Sequence, residues 1–107
     1  MSSIIDVRDD TFQAEVLGAT LPVLVYFWAS WSSPCKTMRP MIEDAASRYA
    51  GRLKVVYLDI EENPDTAYQY HVLSVPSMII FKKGTLVELL KYMVTAPDLE
   101  SFIMRNL

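Results

Sequence analysis

Pro22-Val23-Leu24-Val25-Tyr26-Phe27-Trp28-Ala29-Ser30-Trp31-Ser32-Ser33-Pro34-Cys35-Lys36 is the joint at which an apolar run gives way to a helical pattern. The run up to Trp28 is β-branched, aromatic or aliphatic on both alternating faces, which predicts a strand buried on both sides. Beyond the joint, Met38, Met41, Ile42, Ala45, Ala46 and Tyr49 recur at three- and four-residue spacing, one face of a helix. Pro34 suits the first helical turn, where its missing N–H costs nothing. Cys35 therefore falls at a helix N-terminus, where unpaired N–H groups and the helix dipole favour a thiolate. Two readings of it stand at this point: a nucleophile or leaving group, or a small buried hydrophobe.

Working outward, strands and helices alternate without linker, repeat or low-complexity segment. Ser3 to Val7 reads as a short strand, and Asp9 or Asp10 is placed to cap a helix burying Phe12, Val16 and Leu17, which Gly18 ends. Pro40 interrupts the long helix one turn in, and an interior proline is expected to kink it so that Trp31 to Cys35 becomes a surface feature. Leu53 to Asp59 is a third strand, and Asn63-Pro64 starts a short helix burying Ala67 and Tyr70. Strand, helix, strand implies a parallel pair. Ser77 to Phe81 and Thr85 to Lys91 flank Lys82-Lys83-Gly84, a hairpin signal, so the last two strands run antiparallel. Pro97 to Arg105 closes the chain as a helix with Leu99, Phe102 and Ile103 inward. The expected class is α/β: one domain over residues 1–107, a central mixed sheet with helices on both faces.

Phe27-Trp28-Ala29-Ser30-Trp31-Ser32-Ser33-Pro34-Cys35-Lys36 resembles the active-site segment of the thioredoxin family, in which Trp is followed by Cys-Gly-Pro-Cys-Lys. The resemblance continues through Pro22-Val-Leu-Val, Leu58-Asp-Ile, Glu62-Asn-Pro, Ser74-Val75-Pro76 and Phe81-Lys-Lys-Gly84, nearly the whole chain in the right order. It implies a thioredoxin-like fold and a protein thiol-disulfide oxidoreductase that acts on disulfide-containing proteins or extended peptides and is served by a thioredoxin reductase. No cofactor is implied. The resemblance also implies that Pro76 is cis and that Ser74 and Val75 offer backbone groups to an extended peptide by strand addition. Trp31 and Pro34 belong to the same implied binding surface.

The departures bear on chemistry. The first cysteine of the family motif is Ser32 here, and Cys35 matches the second, resolving one. A serine hydroxyl has too high a pKa to replace the thiol and forms no sulfur–sulfur bond, so the chain as written is not expected to complete dithiol exchange. Tyr26 stands where the family usually carries a buried aspartate, and Tyr57 where it carries a lysine, so the proton-transfer apparatus is missing or altered. A family glycine that leaves room for substrate falls at Tyr92 or Met93, narrowing the groove. Two classes remain open: a thioredoxin-type oxidoreductase in which Ser32 was put in place of the nucleophile, and a natural redox-inactive binding module that keeps the Trp31, Pro76 and Tyr92 surface.

Composition agrees. A chain of 107 residues with 51% hydrophobic content buries a sizeable core, roughly two-thirds of its unfolded surface. A formal charge of −3 and a pI near 5.0 give no electrostatic reason for nucleic acid or a membrane surface as partner. Apolar runs fall short of the ~20 residues of a membrane span, and Met1-Ser-Ser-Ile-Ile-Asp has no signal-peptide character. A cytoplasmic monomer is the expectation. One cysteine excludes an internal disulfide, and with His71 the only histidine no metal site is expected. His71 itself reads as a surface residue, Asp59, Glu61, Glu62 and Asp65 as a solvated acidic loop, and Met38 and Met41 as core.

Overall fold

The computed structural model describes residues 4–107. Its centre is β2 (Val23–Trp28), whose first five residues are fully buried because the strand has neighbours on both edges and packed layers on both faces. On one edge β2 pairs in parallel with β3 (Lys54–Asp59), which in turn pairs in parallel with β1 (Ile5–Asp6). On the other it pairs antiparallel with β4 (Ser77–Lys82), and β4 with β5 (Thr85–Lys91), giving the order β1-β3-β2-β4-β5. Alternation along β2 divides the core. Leu24 and Tyr26 face α1 (Ser33–Arg48) and α3 (Ala96–Met104), while Val23, Val25 and Phe27 face Phe12, Val16 and α2 (Pro64–Gln69). The mixed sheet with helices on both faces is thus as the sequence implies.

The hairpin between β4 and β5 has a two-residue turn in which Lys83 and Gly84 both have positive φ, 52° and 79°. That is the turn type whose twist matches the strands. Val87 has no register partner, since Ile80 faces Glu88 and Phe81 faces Leu86, so a bulge bends the outer strand. Thr95 caps α3 by accepting from the Asp98 N–H, and Leu99, Phe102 and Ile103 point inward.

Several local expectations are corrected. β1 is only two residues long and exposed; Ser3 lies outside the described residues. The first helical segment is a π-type turn, Gln13–Leu17, capped by neither Asp9 nor Asp10. Asp9 instead accepts from the N–H groups of Asp65 and Thr66, capping α2 from across the fold, and Asn63 accepts from the Asp9 N–H rather than capping its own helix. Asp9 and Asn63 meet across the fold because the parallel pairing of β1 with β3 brings the loops that follow them side by side. Leu17 and Tyr70 are half-buried, the Tyr70 ring meeting Phe12 at a tilt and Phe81 edge-to-face, with centroids 5.6 and 5.1 Å apart.

β5 is tied to the end of α3 by Glu88, which accepts from Arg105 and from Asn106 Nδ2 at 2.8 Å. The Arg105 guanidinium, with Asn106 behind it, brings the Glu88 carboxyl down to about 2 from its ordinary 4.5. A carboxylate with a lowered folded-state pKa contributes stability above its unfolded pKa and loses it as pH falls towards the folded one. Glu88→Gln is therefore expected to lower the unfolding midpoint at pH 7, and the gap from the parent is expected to close between pH 4.5 and 2 in parallel thermal melts. A gap of constant size across that range would contradict the tie. Because solvent reaches this carboxylate, the effect is modest and shrinks in salt.

Candidate active site

The joint between β2 and α1 builds the site. Ser32, with extended backbone at φ −94° and ψ 109°, is the N-cap of α1, and its Oγ accepts the Cys35 N–H at 3.3 Å. The serine at the family's first cysteine position thus satisfies one of the orphan donors of the helix start. Pro34 lies in the first turn, as its lack of an N–H allows.

Cys35 shares its helix face with Met38 and Ile42 and points into the core, 2% exposed. Ser32 is 4% exposed, so only Trp31, Ser33 and Pro34 of this segment reach solvent, Trp31 at 65%. The expected surface feature running from Trp31 to Cys35 is corrected accordingly. Helix α1 passes through Pro40 to Arg48 without a break, and its first turn is held to the sheet instead of leaning away from it. The tie is Tyr26, whose hydroxyl donates to the Cys35 carbonyl at 2.8 Å inside the core.

Burial, and next the neighbouring Cys35, drives the Tyr26 hydroxyl far above the ordinary phenol range. Burial also raises Tyr57, whose ring is 5.8 Å from that of Tyr26, with the Arg39 guanidinium pulling the other way. Both tyrosines are neutral wherever the protein is folded near neutral pH. Arg39 lies over two rings, its Cζ 4.8 Å from the Trp28 centroid and 4.6 Å from that of Tyr57. Among the described residues the Trp28 Nε1 is buried without a hydrogen-bond partner.

The second wall is the loop before β4. The Val75-Pro76 peptide is cis. Because Ser77 registers with Phe27, Pro76 lies alongside the end of β2, where the Trp28 to Cys35 joint begins. Val75 packs against the cluster that contains Cys35, and the Ser77 hydroxyl donates to the Ser74 carbonyl at 2.8 Å, closing the loop. Tyr92 donates its N–H to the Pro76 carbonyl at 2.9 Å. Its φ of 70° identifies it, rather than Met93, as the residue in the conformation a glycine would take most cheaply. The tyrosine ring is 64% exposed beside the cis proline.

The weaker candidates resolve structurally. His71, at φ 58°, is the left-handed residue that ends α2: its N–H donates to the Tyr68 carbonyl and that of Val72 to Ala67. The acidic run is partly turn chemistry, with Asp59 accepting from the Glu61 N–H and Glu61 accepting from the Ser30 hydroxyl at 2.8 Å. Met38 is core and Met41 half-buried against it. Among the described residues no group of His, Cys, Asp and Glu could hold a metal, and no helix is long and apolar enough to cross a membrane. Sequence reasoning missed Arg39. It stands one helical turn beyond Cys35, which is the signal that could have found it.

A mixed five-stranded sheet, a Trp-Ser-Ser-Pro-Cys turn opening the helix after its central strand, and a facing cis proline define the class of thioredoxin-like thiol-disulfide exchange domains. The family model described as Thioredoxin matches residues 3–105. Thioredoxin C-2 of Corynebacterium nephridii is 38% identical over 106 residues, covering 99% of this chain and 98% of the relative. Thioredoxin 1 of Nostoc sp. and the thioredoxin of Synechocystis sp. are 39% and 40% identical over 107 residues, the full length of each chain. The chain belongs to the thioredoxin family.

Proposed function

We propose that this chain is a protein thiol-disulfide oxidoreductase domain with serine at its nucleophile, so that it binds disulfide-containing proteins or extended peptides without completing the exchange. In the full reaction the first thiolate attacks a substrate disulfide, whose S–S bond breaks as a mixed disulfide forms. The second thiolate then attacks that bond, leaving an internal disulfide and releasing the second substrate thiol. Ser32 can form no such bond, and Cys35 is buried away from incoming substrate. The observation that carries the proposal is the placement of Ser32: a helix N-cap at the start of the turn that holds Cys35, with Oγ aimed at the Cys35 N–H.

Ser74, Val75 and Pro76 form the proposed peptide seat, flanked by the exposed rings of Trp31 and Tyr92, with Pro34 on the helix side. A thioredoxin reductase is the proposed electron donor for a form with both thiols, and the cytoplasm, which keeps thiols reduced, the proposed setting. The test is a Ser32→Cys chain equilibrated in dithiothreitol redox buffers, with free thiols counted by alkylation and mass. Both thiols are expected to disappear together in one two-electron transition within a single chain. Thiols that persist under oxidising conditions, or that pair only between chains, would contradict the reading.

A second reading, a binding module without electron exchange, is favoured by Tyr26 and Tyr57, which put neutral groups behind Cys35 where proton transfer calls for ionised ones.

A further inference from the structure

Tyr92 is held at φ 70°, a left-handed conformation that disfavours any residue with a Cβ and that glycine adopts freely. The fold gains little from the side chain held there: the ring is mostly exposed and, among the described residues, makes no ring contact and no hydrogen bond through its hydroxyl. Strain kept at an exposed position points to a use outside the fold. The surroundings indicate which use. Phe27, Ser77 and Lys91 form one row across β2, β4 and β5, so three connections gather at that end of the sheet. They are the turn with Trp31 after β2, the cis loop with Leu73 before β4, and Tyr92 with Met93 after β5. Trp31, Leu73, Tyr92 and Met93 are all more than half exposed, a set of large apolar side chains around Pro76. Among the described residues no hydrogen bond reaches the Val75 N–H or C=O, which leaves a donor and an acceptor for an extended chain.

We infer that Tyr92 selects the partner: an extended segment that pairs with the Val75 backbone and lays a large apolar side chain, aromatic or aliphatic, against the Tyr92 ring. The inference rests on reading Ser74 to Pro76 as the peptide seat, and adds the class of side chain that the seat prefers. A carboxylate in the same place would lose water without gaining a partner.

The test is titration of the folded chain with extended peptides that carry serine at the centre and differ only in the residue flanking it, Phe, Leu or Asp, followed by the amide NMR shifts of Val75 and Tyr92. The Phe and Leu peptides are expected to bind about fivefold more tightly than the Asp peptide, the size of one aromatic contact. Tyr92→Gly is expected to abolish that ratio by weakening the Phe and Leu peptides alone, while its urea midpoint stays at or above that of the parent. Tyr92→Phe is expected to keep the ratio. Tyr92→Asn, a residue type that tolerates left-handed backbone, is expected to lose it, and preserves the comparison if glycine loosens the loop. A ratio that survives in Tyr92→Gly and Tyr92→Asn would overturn the selection, as would urea midpoints that fall in both, since the ring would then be holding the loop. Peptides that all bind alike would also overturn it, yet leave the seat standing. Peptides that leave the Val75 amide unmoved would overturn the selection and the seat together. No thiol reacts in these titrations, so they stand apart from the Ser32→Cys result.

Discussion

Tyr26→Ala is expected to remove about 3–5 kcal/mol of stability, the range for deleting a buried aromatic ring from a core that cannot collapse around the gap. Tyr26 is 1% exposed at the centre of the middle strand, against Tyr57 and under the first turn of α1. A domain of this size has only about 5–15 kcal/mol in total, so the variant approaches the edge of folding at ordinary temperatures. Tyr26→Phe separates the two roles of the side chain. It keeps the ring and loses only the hydroxyl's bond to the Cys35 carbonyl, a loss of about 1 kcal/mol, because that carbonyl remains in the backbone ladder of α1. Urea unfolding of the three chains reads both numbers, provided the slopes agree. If Tyr26→Phe loses as much as Tyr26→Ala, the hydroxyl holds the first turn and the packing of the ring contributes little, the reverse of the expected division. Any form that restores an ionisable group at this position must contend with the same burial that drives the phenol upward.

What the sequence made legible was local and periodic. The unbroken apolar run of β2, the three- and four-residue spacing along α1 and the Lys83-Gly84 turn each encode their conformation within a few neighbours, and each forms where expected. The family resemblance carried the cis Val75-Pro76 bond, which no local pattern of residues around it would have decided. Three features stayed hidden because their partners are distant in the chain. Asp9 caps α2 more than fifty residues away and donates its own N–H to Asn63, so Asp9 looks like a cap for the wrong helix and Asn63 like a cap it does not make. Tyr92 stood level with Met93 until its φ of 70° distinguished them. Arg39 reads as one more polar residue on a helix, and only the assembled sheet sets the rings of Trp28 and Tyr57 beneath it. Burial of Cys35 was foreseeable from its place in the Met38 and Ile42 stripe, yet the expected proline kink argued against it; the Tyr26 tie, nine residues upstream, decides the matter.

The largest change in activity is expected from a single atom. Ser32 holds the N-cap geometry that a cysteine would need, with Oγ 3.3 Å from the Cys35 nitrogen, and a sulfur there would sit where helix N–H groups and the dipole stabilise a thiolate. The cis Val75-Pro76 loop, the proposed peptide seat, and Cys35, the proposed resolving thiol, are already in place. Removing a covalent nucleophile commonly costs at least ~10³-fold, so restoring one is expected to return about that much. The measurement that tests this most directly is insulin-disulfide reduction with dithiothreitol as electron source, comparing the chain as it stands with its Ser32→Cys variant, both verified as folded by circular dichroism. If the site lacks only one sulfur, the parent stays at the dithiothreitol blank and the variant exceeds it by about 10³-fold. A folded variant that also stays at the blank would contradict the exchange reading and favour the proposed binding module at the Trp31, Pro76 and Tyr92 surface.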